Sequence, residues 1–376
     1  MKIAILASPF LPIPPIKYGG TERVIYFLVK GLIELGHEVT LFASGDSKVD
    51  CELIPICEKA YSHQENKEKD QELEVLRHKA IDNCLDLVRQ NLDRFDVIHS
   101  HGIDLSSFKD FPNLTTMHGP ITLPQMEYFE ARKDLFYASI SKNQQEVLPD
   151  LNYIGTVYNG MDPSLFPIVE TPEDYLCFLG RFDREKNPHL AMQLALKLNM
   201  KLKVAGKIDF AGKEYFEQEC KPYFDNPLIE YLGEVDLDQK IELLSKAKCN
   251  LHPVGFREPF GLTILEAAYC GTPTIAISRG SMPELIEENR TGVLVEDFDG
   301  GYKRIEDCFS MDRNYIAQRA RLLFNYQTMS KQYVLAYEKI ITIFKTEQDK
   351  ENEIARIKNE AKSGLQNLWE SIVGRN

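Results

Sequence analysis

The sequence predicts an α/β fold with two doubly wound domains, each a parallel sheet with helices on both faces. Short apolar runs of strand length alternate with amphipathic stretches of helical length, which is typical of parallel sheets. The rhythm occurs twice along 376 residues, a length that suits two domains better than one core. Apolar residues make up 43% and charged residues 27%, as in ordinary globular proteins.

Eleven apolar runs are predicted as strands. They cover residues 3–7, 39–43, 96–99, 114–117, 137–140, 155–158, 176–179, 202–205, 228–231, 250–252 and 274–277. Turn-forming residues at 159–163 indicate a domain boundary. We therefore predict an N-terminal domain over 1–160, a C-terminal domain over 161–330 and C-terminal helices over 331–376.

The last part of the chain is predicted to be helical and to pack back on the first domain. The spacing is helical over 314–344, and apolar residues recur every three or four positions over 347–373. Contact of this last segment with a partner protein or a membrane surface is the alternative. Its charges are mixed rather than basic, which weakens the membrane alternative.

Charge and cysteine usage exclude several classes of protein. The formal net charge of −13 disfavours nucleic-acid binding, because phosphate contacts need clustered Lys and Arg. No apolar run approaches the roughly 20 residues of a membrane-spanning helix, and the apolar N-terminus is interpreted as a first strand rather than a signal peptide.

Eight scattered cysteines without a C-x-x-C pair indicate free thiols and a cytoplasmic protein. The oligomeric state stays open, a homo-oligomer included.

The most informative stretch is 257–273, where a turn is predicted to lead into a helix. The first turn of a helix has N–H groups without intrahelical partners and the positive end of the dipole, which suits a pyrophosphate. Glu258 precedes the helix and Glu266 lies inside it beside apolar neighbours, where an unpaired carboxylate is costly. The residues predicted to surround a diphosphate at the helix start are Phe260, Gly261, Leu262 and Thr263.

Two further loops add cations and glycines to the predicted site. Arg181 and Lys186 follow the first strand of the second domain, and such a pair of cations suits a diphosphate leaving group. Gly19 and Gly20 precede an amphipathic helix over 24–35 and allow close backbone approach to a ligand. The loop lacks the G-x-G-x-x-G pattern, so a dinucleotide cofactor is not expected.

Three histidines follow predicted strand ends, where α/β sheets bind ligands. His118 is a candidate cleft residue, with a loop histidine bonded to the backbone as the alternative. His99 and His101 lack a third ligand placed by the sequence, so no metal site is expected. Two D-x-D triplets, at 236–238 and 297–299, lie beside turns and are interpreted as solvated acids.

Together these motifs resemble those of retaining glycosyltransferases with the two-Rossmann-domain GT-B architecture, in family 4 (glycosyl transferases group 1). The stretch from Glu258 to Glu266 resembles the E-x7-E signature of that family. Residues 180–186 resemble its G-R-x4-K loop, and residues 19–23 resemble its G-G-x-E-R loop. Asn187 stands where glycine is common, and asparagine is another residue able to adopt that turn. The resemblance covers most of residues 1–300.

The resemblance implies a function and roles for individual residues. It implies metal-independent transfer of a hexose from a nucleoside diphosphate, UDP favoured over GDP, with retention, and no cofactor. The acceptor, a glycan, glycolipid or small molecule, would contact loops within 44–70 and 119–133. Glu266 would bind the ribose, and Val235 would lie in the loop that holds the base. The catalytic residues that it implies are Glu258, His118, Arg181 and Lys186.

Two alternatives remain open. A nucleotide-sugar epimerase on the same fold would work without an acceptor, and a non-catalytic nucleotide-sugar-binding subunit would regulate a partner. The joint presence of the G-R-x4-K and E-x7-E motifs favours transfer, because both cations and both glutamates are present.

Overall fold

Strands form the framework of the protein in the computed structural model. The structure describes residues 1–17, 19–61, 67–208 and 212–373. Side chains are described through residue 350, except those of 67–71 and 348. The strands are β1 (Lys2–Leu6), β2 (Glu38–Ser44), β3 (Glu52–Cys57), β4 (Val97–Ser100), β5 (Asn113–Thr116), β6 (Tyr137–Ser139), β7 (Tyr153–Thr156), β8 (Tyr175–Leu179), β9 (Lys201–Ala205), β10 (Ile229–Tyr231), β11 (Cys249–His252), β12 (Thr274–Ile277) and β13 (Gly292–Val295).

These strands form two separate parallel sheets. One sheet has seven strands in the order β3-β2-β1-β4-β5-β6-β7, and the other has six in the order β10-β9-β8-β11-β12-β13. Every neighbouring pair is parallel. Each order reverses once, beside β1 and beside β8, and such a reversal opens a crevice at the carboxyl ends of the strands. The predicted pair of Rossmann-like domains is confirmed.

Helices connect the parallel strands, as crossovers between parallel strands require. They are α1 (Gly20–Glu34), α2 (Lys67–Gln90), α3 (Leu123–Glu130), α4 (Lys142–Val147), α5 (Pro188–Leu198), α6 (Lys213–Tyr215), α7 (Leu237–Lys246), α8 (Leu262–Tyr269), α9 (Met282–Leu285), α10 (Phe298–Gly301), α11 (Ile305–Phe309), α12 (Arg313–Leu323) and α13 (Tyr326–Val373).

All eleven predicted strands are present, and their ends differ from the prediction by at most two residues. β3 and β13 are additional, and each lies at the edge of its sheet. β3 contains Pro55, whose missing N–H is tolerated at a sheet edge but weakens the strand signal in the sequence. It falls within 44–70, where only loop contacts to the acceptor were expected.

A carboxylate of α9 joins the two domains. Glu284 accepts hydrogen bonds from the backbone N–H groups of Lys142 and Asn143, both at 2.8 Å, in the first turn of α4. It also accepts a hydrogen bond from the Tyr158 hydroxyl at 2.7 Å. A carboxylate at a helix start satisfies free N–H groups and complements the dipole. This contact ties α4 of the first domain to the second.

The last two helices divide between the two domains. α12 packs on α8 of the second domain, whereas α13 packs on α1, β5 and β7 of the first. Where the chain crosses back, Met161 and Asn325 form a parallel β-bridge. The predicted return of the C-terminal helices to the first domain is confirmed, with α13 beginning at Tyr326 rather than at 331.

α13 contributes two buried tyrosines to a chain of hydrogen bonds in the first domain. The Tyr337 hydroxyl lies 2.7 Å from Nδ1 of His99, and the Tyr333 hydroxyl lies 2.9 Å from Oγ1 of Thr116. The same Thr116 oxygen lies 2.7 Å from Nε2 of His99. Both ring nitrogens of His99 are therefore bonded to protein groups, and neither is free to bind a metal ion.

The C-terminal segment continues the same helix. α13 extends to Val373, and the side chains of 351–373 lie outside the described residues, so the packing predicted for 347–373 stays a prediction. Within the described chain, no helix combines the length and apolar character that a membrane span requires. All eight cysteines are free thiols.

We expect Tyr337→Phe to lower the melting temperature. The substitution leaves a buried nitrogen of His99 without its partner, which costs about 1–3 kcal/mol. Thermal unfolding measures the shift, and Tyr302→Phe is the matched control because that tyrosine is 38% exposed. Equal melting temperatures for the two variants would contradict the role of the Tyr337 hydroxyl.

Candidate active site

A cleft between the two domains is lined by every residue that the sequence predicts for the site. The cavity has a volume of about 280 Å³ and opens at the carboxyl ends of β1, β5, β8 and β11. The predicted residues in its lining are Gly19, Gly20, His118, Arg181, Lys186, Val235, Glu258, Phe260, Gly261, Leu262, Thr263 and Glu266. The structure thus brings together residues that lie up to 247 positions apart (266 − 19).

One wall of the cleft is the start of α8. Gly261 precedes the helix with a φ of 92°, a left-handed conformation that favours glycine. The Ser281 hydroxyl donates a hydrogen bond to the carbonyl of Phe260 at 2.7 Å, and the Ser281 N–H donates one to the carbonyl of Glu258 at 3.0 Å. These bonds fix the loop before the helix. The N–H groups of the first helical turn lack intrahelical acceptors and suit an anion.

The two predicted diphosphate-binding cations also interact with carboxylates. Nζ of Lys186 donates a hydrogen bond to Oε2 of Glu258, and both side chains are largely buried. Arg181 lies 3.1 Å from Oδ2 of Asp183. Each cation therefore stands beside a negative charge of the protein at the edge of the same cavity.

The loop that carries Lys186 is shaped by two polar residues. Oδ1 of Asp183 accepts hydrogen bonds from the N–H groups of Glu185 at 3.0 Å and Lys186 at 2.8 Å. Asn187 adopts a left-handed conformation with a φ of 50° just before α5. The prediction that asparagine can form the turn where glycine is common is confirmed.

Glu266 is buried between cations from both domains. Its exposed fraction is 4%, and Nζ of Lys240 in α7 donates a hydrogen bond to its Oε1. Burial lowers the pKa of Lys240 and of Arg23 in α1, and the Glu266 carboxylate opposes both changes. Because single buried charges are costly, the Glu266 carboxylate offsets part of the cost of burying these two cations.

The histidines of the cleft are neutral at pH 7. Burial lowers the pKa of His118 to about 4 and the pKa of His252 to about 3. Nε2 of His118 lies 2.8 Å from Nδ1 of His101. A neutral imidazole offers one donor and one acceptor, so His118 acts as a hydrogen-bonding group rather than as a cation.

Two protein-family models match this chain, one in each domain. The model described as Glycosyltransferase Family 4 matches residues 18–150, and the model described as Glycosyl transferases group 1 matches residues 166–320. Together they cover the glycine loop, both cations and both glutamates. The chain belongs to the group 1 glycosyltransferases. Its fold is the GT-B fold.

The glycosyltransferase is similar in sequence to full-length curated proteins. Glycogen synthase of Mycobacterium tuberculosis is 25% identical over 376 aligned positions, which cover 84% of this chain and 90% of that protein. An uncharacterized glycosyltransferase of Methanocaldococcus jannaschii is 23% identical, with 90% of this chain and 98% of that protein covered.

Solved structures show the same fold. Sucrose-phosphate synthase from Thermosynechococcus elongatus superposes with a TM-score of 0.72 at 18% identity, covering 91% of this chain and 100% of that chain. The Anabaena protein HepE in complex with UDP-glucose gives a TM-score of 0.69 at 14% identity, covering 90% and 100%.

Several charged or polar residues of the glycosyltransferase cleft are not singled out by the sequence, among them Arg23, His252 and Lys240. Arg23 belongs to the G-G-x-E-R loop, and His252 ends β11, so the motif and the strand-end rule could have indicated them. Lys240 lies in the middle of α7, where no local pattern distinguishes it from a surface lysine.

The four aspartates of the two acidic triplets of the glycosyltransferase are exposed, as predicted. The first aspartate of each also caps a helix. Asp236 accepts a hydrogen bond from the N–H of Gln239 at 2.9 Å at the start of α7, and Asp297 accepts one from Gly300 at 2.6 Å at the start of α10. Helix capping accounts for an aspartate at these positions.

We expect the losses of stability from Lys240→Met and Glu266→Gln to be non-additive. Removing one partner leaves the other buried and poorly compensated, which costs roughly 3–5 kcal/mol, whereas the double variant removes both charges. Melting temperatures of the two single variants and the double variant complete a double-mutant cycle. Additive losses would show that Glu266 does not depend on Lys240.

Proposed function

We propose that the enzyme transfers a hexose from a nucleoside diphosphate, UDP in preference to GDP, to an acceptor held by the first domain. In this proposal the reaction retains the anomeric configuration and needs no metal ion. The observation that carries the proposal is the single cleft that combines a helix start, two cations and two glutamates. The likeness to HepE, a protein solved with UDP-glucose, supports the donor class.

The negative charge that develops on the leaving diphosphate would be stabilised at one side of the cleft. The first N–H groups of α8 and the side chains of Arg181 and Lys186 lie there. Preorganised donors of this kind stabilise a growing charge without reorganisation during the reaction. A metal ion would duplicate that positive charge, which is why none is expected.

The two glutamates would bind different parts of the donor. Lys240 bonds Oε1 of Glu266, and no described residue bonds its Oε2, so that oxygen is available to a ribose hydroxyl. Lys186 bonds Oε2 of Glu258, which leaves Oε1 for a hydroxyl of the transferred sugar. The charge of Glu258 would then stabilise the sugar when it becomes cation-like.

Transfer itself would be an attack by an acceptor hydroxyl on the face from which the diphosphate leaves. A new bond forms between the acceptor oxygen and the anomeric carbon while the bond to the diphosphate oxygen breaks. The hydroxyl proton passes to the departing diphosphate, so no side chain is modified. Close contact between the domains would orient the acceptor and exclude water.

The alternatives are less well supported by the cleft. An epimerase needs no acceptor, whereas Thr21 and His118 connect the cleft to a second cavity in the first domain. A non-catalytic binding subunit needs no glutamate for the transferred sugar, whereas Lys186 and the bonds of Ser281 hold Glu258 in the cleft.

In buffer with excess EDTA, we expect UDP-glucose to raise the melting temperature and to be turned over with release of UDP. GDP-mannose should raise the melting temperature less, because a ligand that binds the folded state more weakly stabilises it less at the same concentration. Thermal shift and an assay of nucleotide release make the measurement. Turnover that is lost in EDTA and restored by magnesium or manganese would contradict metal independence. Failure of every nucleotide sugar to bind would contradict the function.

We expect Glu258→Gln and Glu266→Gln to separate chemistry from binding. Glu266→Gln weakens bonds to ribose that are worth roughly 1.5–3 kcal/mol and are present before and during transfer, so affinity for free UDP should fall. Glu258→Gln should lower kcat without lowering UDP affinity, because UDP lacks the sugar and the substitution frees Lys186 for the diphosphate.

Calorimetry with UDP and steady-state kinetics measure the two effects. Glu242→Gln, a glutamate of α7 whose side chain is 65% exposed, is the control. Loss of UDP affinity in Glu258→Gln but not in Glu266→Gln would reverse the two roles.

A further inference from the structure

A second cavity opens in the first domain and adjoins the donor cleft. Its volume is about 380 Å³, and it lies at the carboxyl ends of β1, β4 and β5. Thr21 and His118 line both cavities. A molecule held in the second cavity would therefore meet the donor at these two residues.

Two buried polar side chains at this junction can still bond a ligand. Glu22 is 8% exposed, and no cation pairs with its carboxylate in the described part of the chain. A Cβ built on Gly19, which lines the donor cleft, would lie 3.1 Å from Oε2 of Glu22. His101 is 3% exposed, and its Nε2 has no hydrogen-bond partner. Buried polar atoms need such partners, and ligand hydroxyls can supply them.

The charges around the cavity do not favour an anion. Among the described residues in its lining there are one arginine, two carboxylates and no lysine. Arg77 lies over the ring of Phe10 at 4.8 Å. Arg132, beside the cavity, bonds Asp104 at 2.8 Å. A phosphorylated ligand would meet the Glu22 carboxylate, with which no cation of the described residues forms an ion pair.

The outer part of the cavity is aromatic. Tyr128 and Phe129 of α3 line it, and their rings lie 5.2 Å apart at 81° to each other. The guanidinium of Arg132 lies 3.8 Å from the centroid of the Tyr128 ring and holds that ring in place. Tyr128 is 39% exposed. An aromatic ring that is held in place and partly exposed can pack against the apolar face of a ring ligand.

We infer that this cavity binds an electrically neutral, polyhydroxylated ring, a sugar or a cyclitol, as the acceptor. Glu22 and Nε2 of His101 bond its hydroxyls at the junction, and Tyr128 packs against its ring. The inference rests on the proposed transfer reaction and adds the acceptor class. Glu22 accepts a hydrogen bond from a ring hydroxyl and orients the ring toward the anomeric carbon.

The test measures UDP release from UDP-glucose by the full-length enzyme with pairs of probes. The neutral members are glucose, maltose and myo-inositol, and the anionic members are glucose 6-phosphate, maltose 1-phosphate and inositol 1-phosphate. We expect at least one neutral ring to raise the rate above hydrolysis by about tenfold or more, and its phosphorylated counterpart to raise it less.

Variants separate acceptor binding from folding. Glu22→Gln should raise the KM for the neutral acceptor by about tenfold and leave the melting temperature equal or higher. The melting temperature does not fall because burial raises the pKa of Glu22 and so disfavours its charge in the folded protein. Tyr128→Ala should raise the same KM. The controls are Glu127→Gln on the exposed side of α3 and Tyr302→Ala in the second domain.

Failure of this inference can be told apart from failure of the proposed function. If UDP-glucose is bound and hydrolysed but no neutral ring accelerates UDP release, the acceptor class is wrong and the transferase site stands. A larger stimulation by the phosphorylated probes, or an unchanged acceptor KM in Glu22→Gln, also overturns the inference. If no nucleotide sugar binds, the proposed function fails and the acceptor class fails with it.

Discussion

The active-site cleft depends on how closely the glycine loop of the first domain approaches the start of α8 in the second. A Cβ at Gly20 would lie 2.8 Å from Cδ1 of Leu262, so any larger residue would have to displace that side chain. The same approach brings Arg23 into electrostatic range of the buried Glu266. The bonds of Glu284 to α4 and the return of α13 tie the domains together beside this contact.

Pairing of buried charges explains how a chain with a net charge of −13 can present cations to a diphosphate. Lys186 and Lys240 are each paired with a glutamate. Burial lowers the pKa of Lys240, and the Glu266 carboxylate opposes that change. A diphosphate would compete with Glu258 for Lys186. On the proposed function, donor binding would thereby leave Glu258 less neutralised at the moment when the sugar becomes cation-like.

The fold and most of the cleft could be predicted because their signals are local. Buried parallel strands are continuous apolar runs, and Asn187 can form its turn from its own side chain and backbone. The rest depends on contacts that no local pattern encodes. β3 is an edge strand interrupted by Pro55, and Lys240 differs from a surface lysine only because α7 places it against Glu266. Likewise, Tyr337 could not be linked to His99 across 238 positions.

That link between Tyr337 and His99 gives the returning helix α13 a consequence in the active site. The ring of His99 lies 4.1 Å from the ring of His101, which stacks on His118 with a centroid distance of 5.1 Å. Because the interior is closely packed, a histidine fixed by α13 fixes its stacked neighbours as well. His118 lines both cavities, so the orientation of a residue between them depends on a helix that begins more than 200 positions away. If α13 stayed on the second domain, the stacked rings of His99, His101 and His118 would lose the hydrogen bond from Tyr337. This gives a physical reason for the return of the C-terminal helix to the first domain.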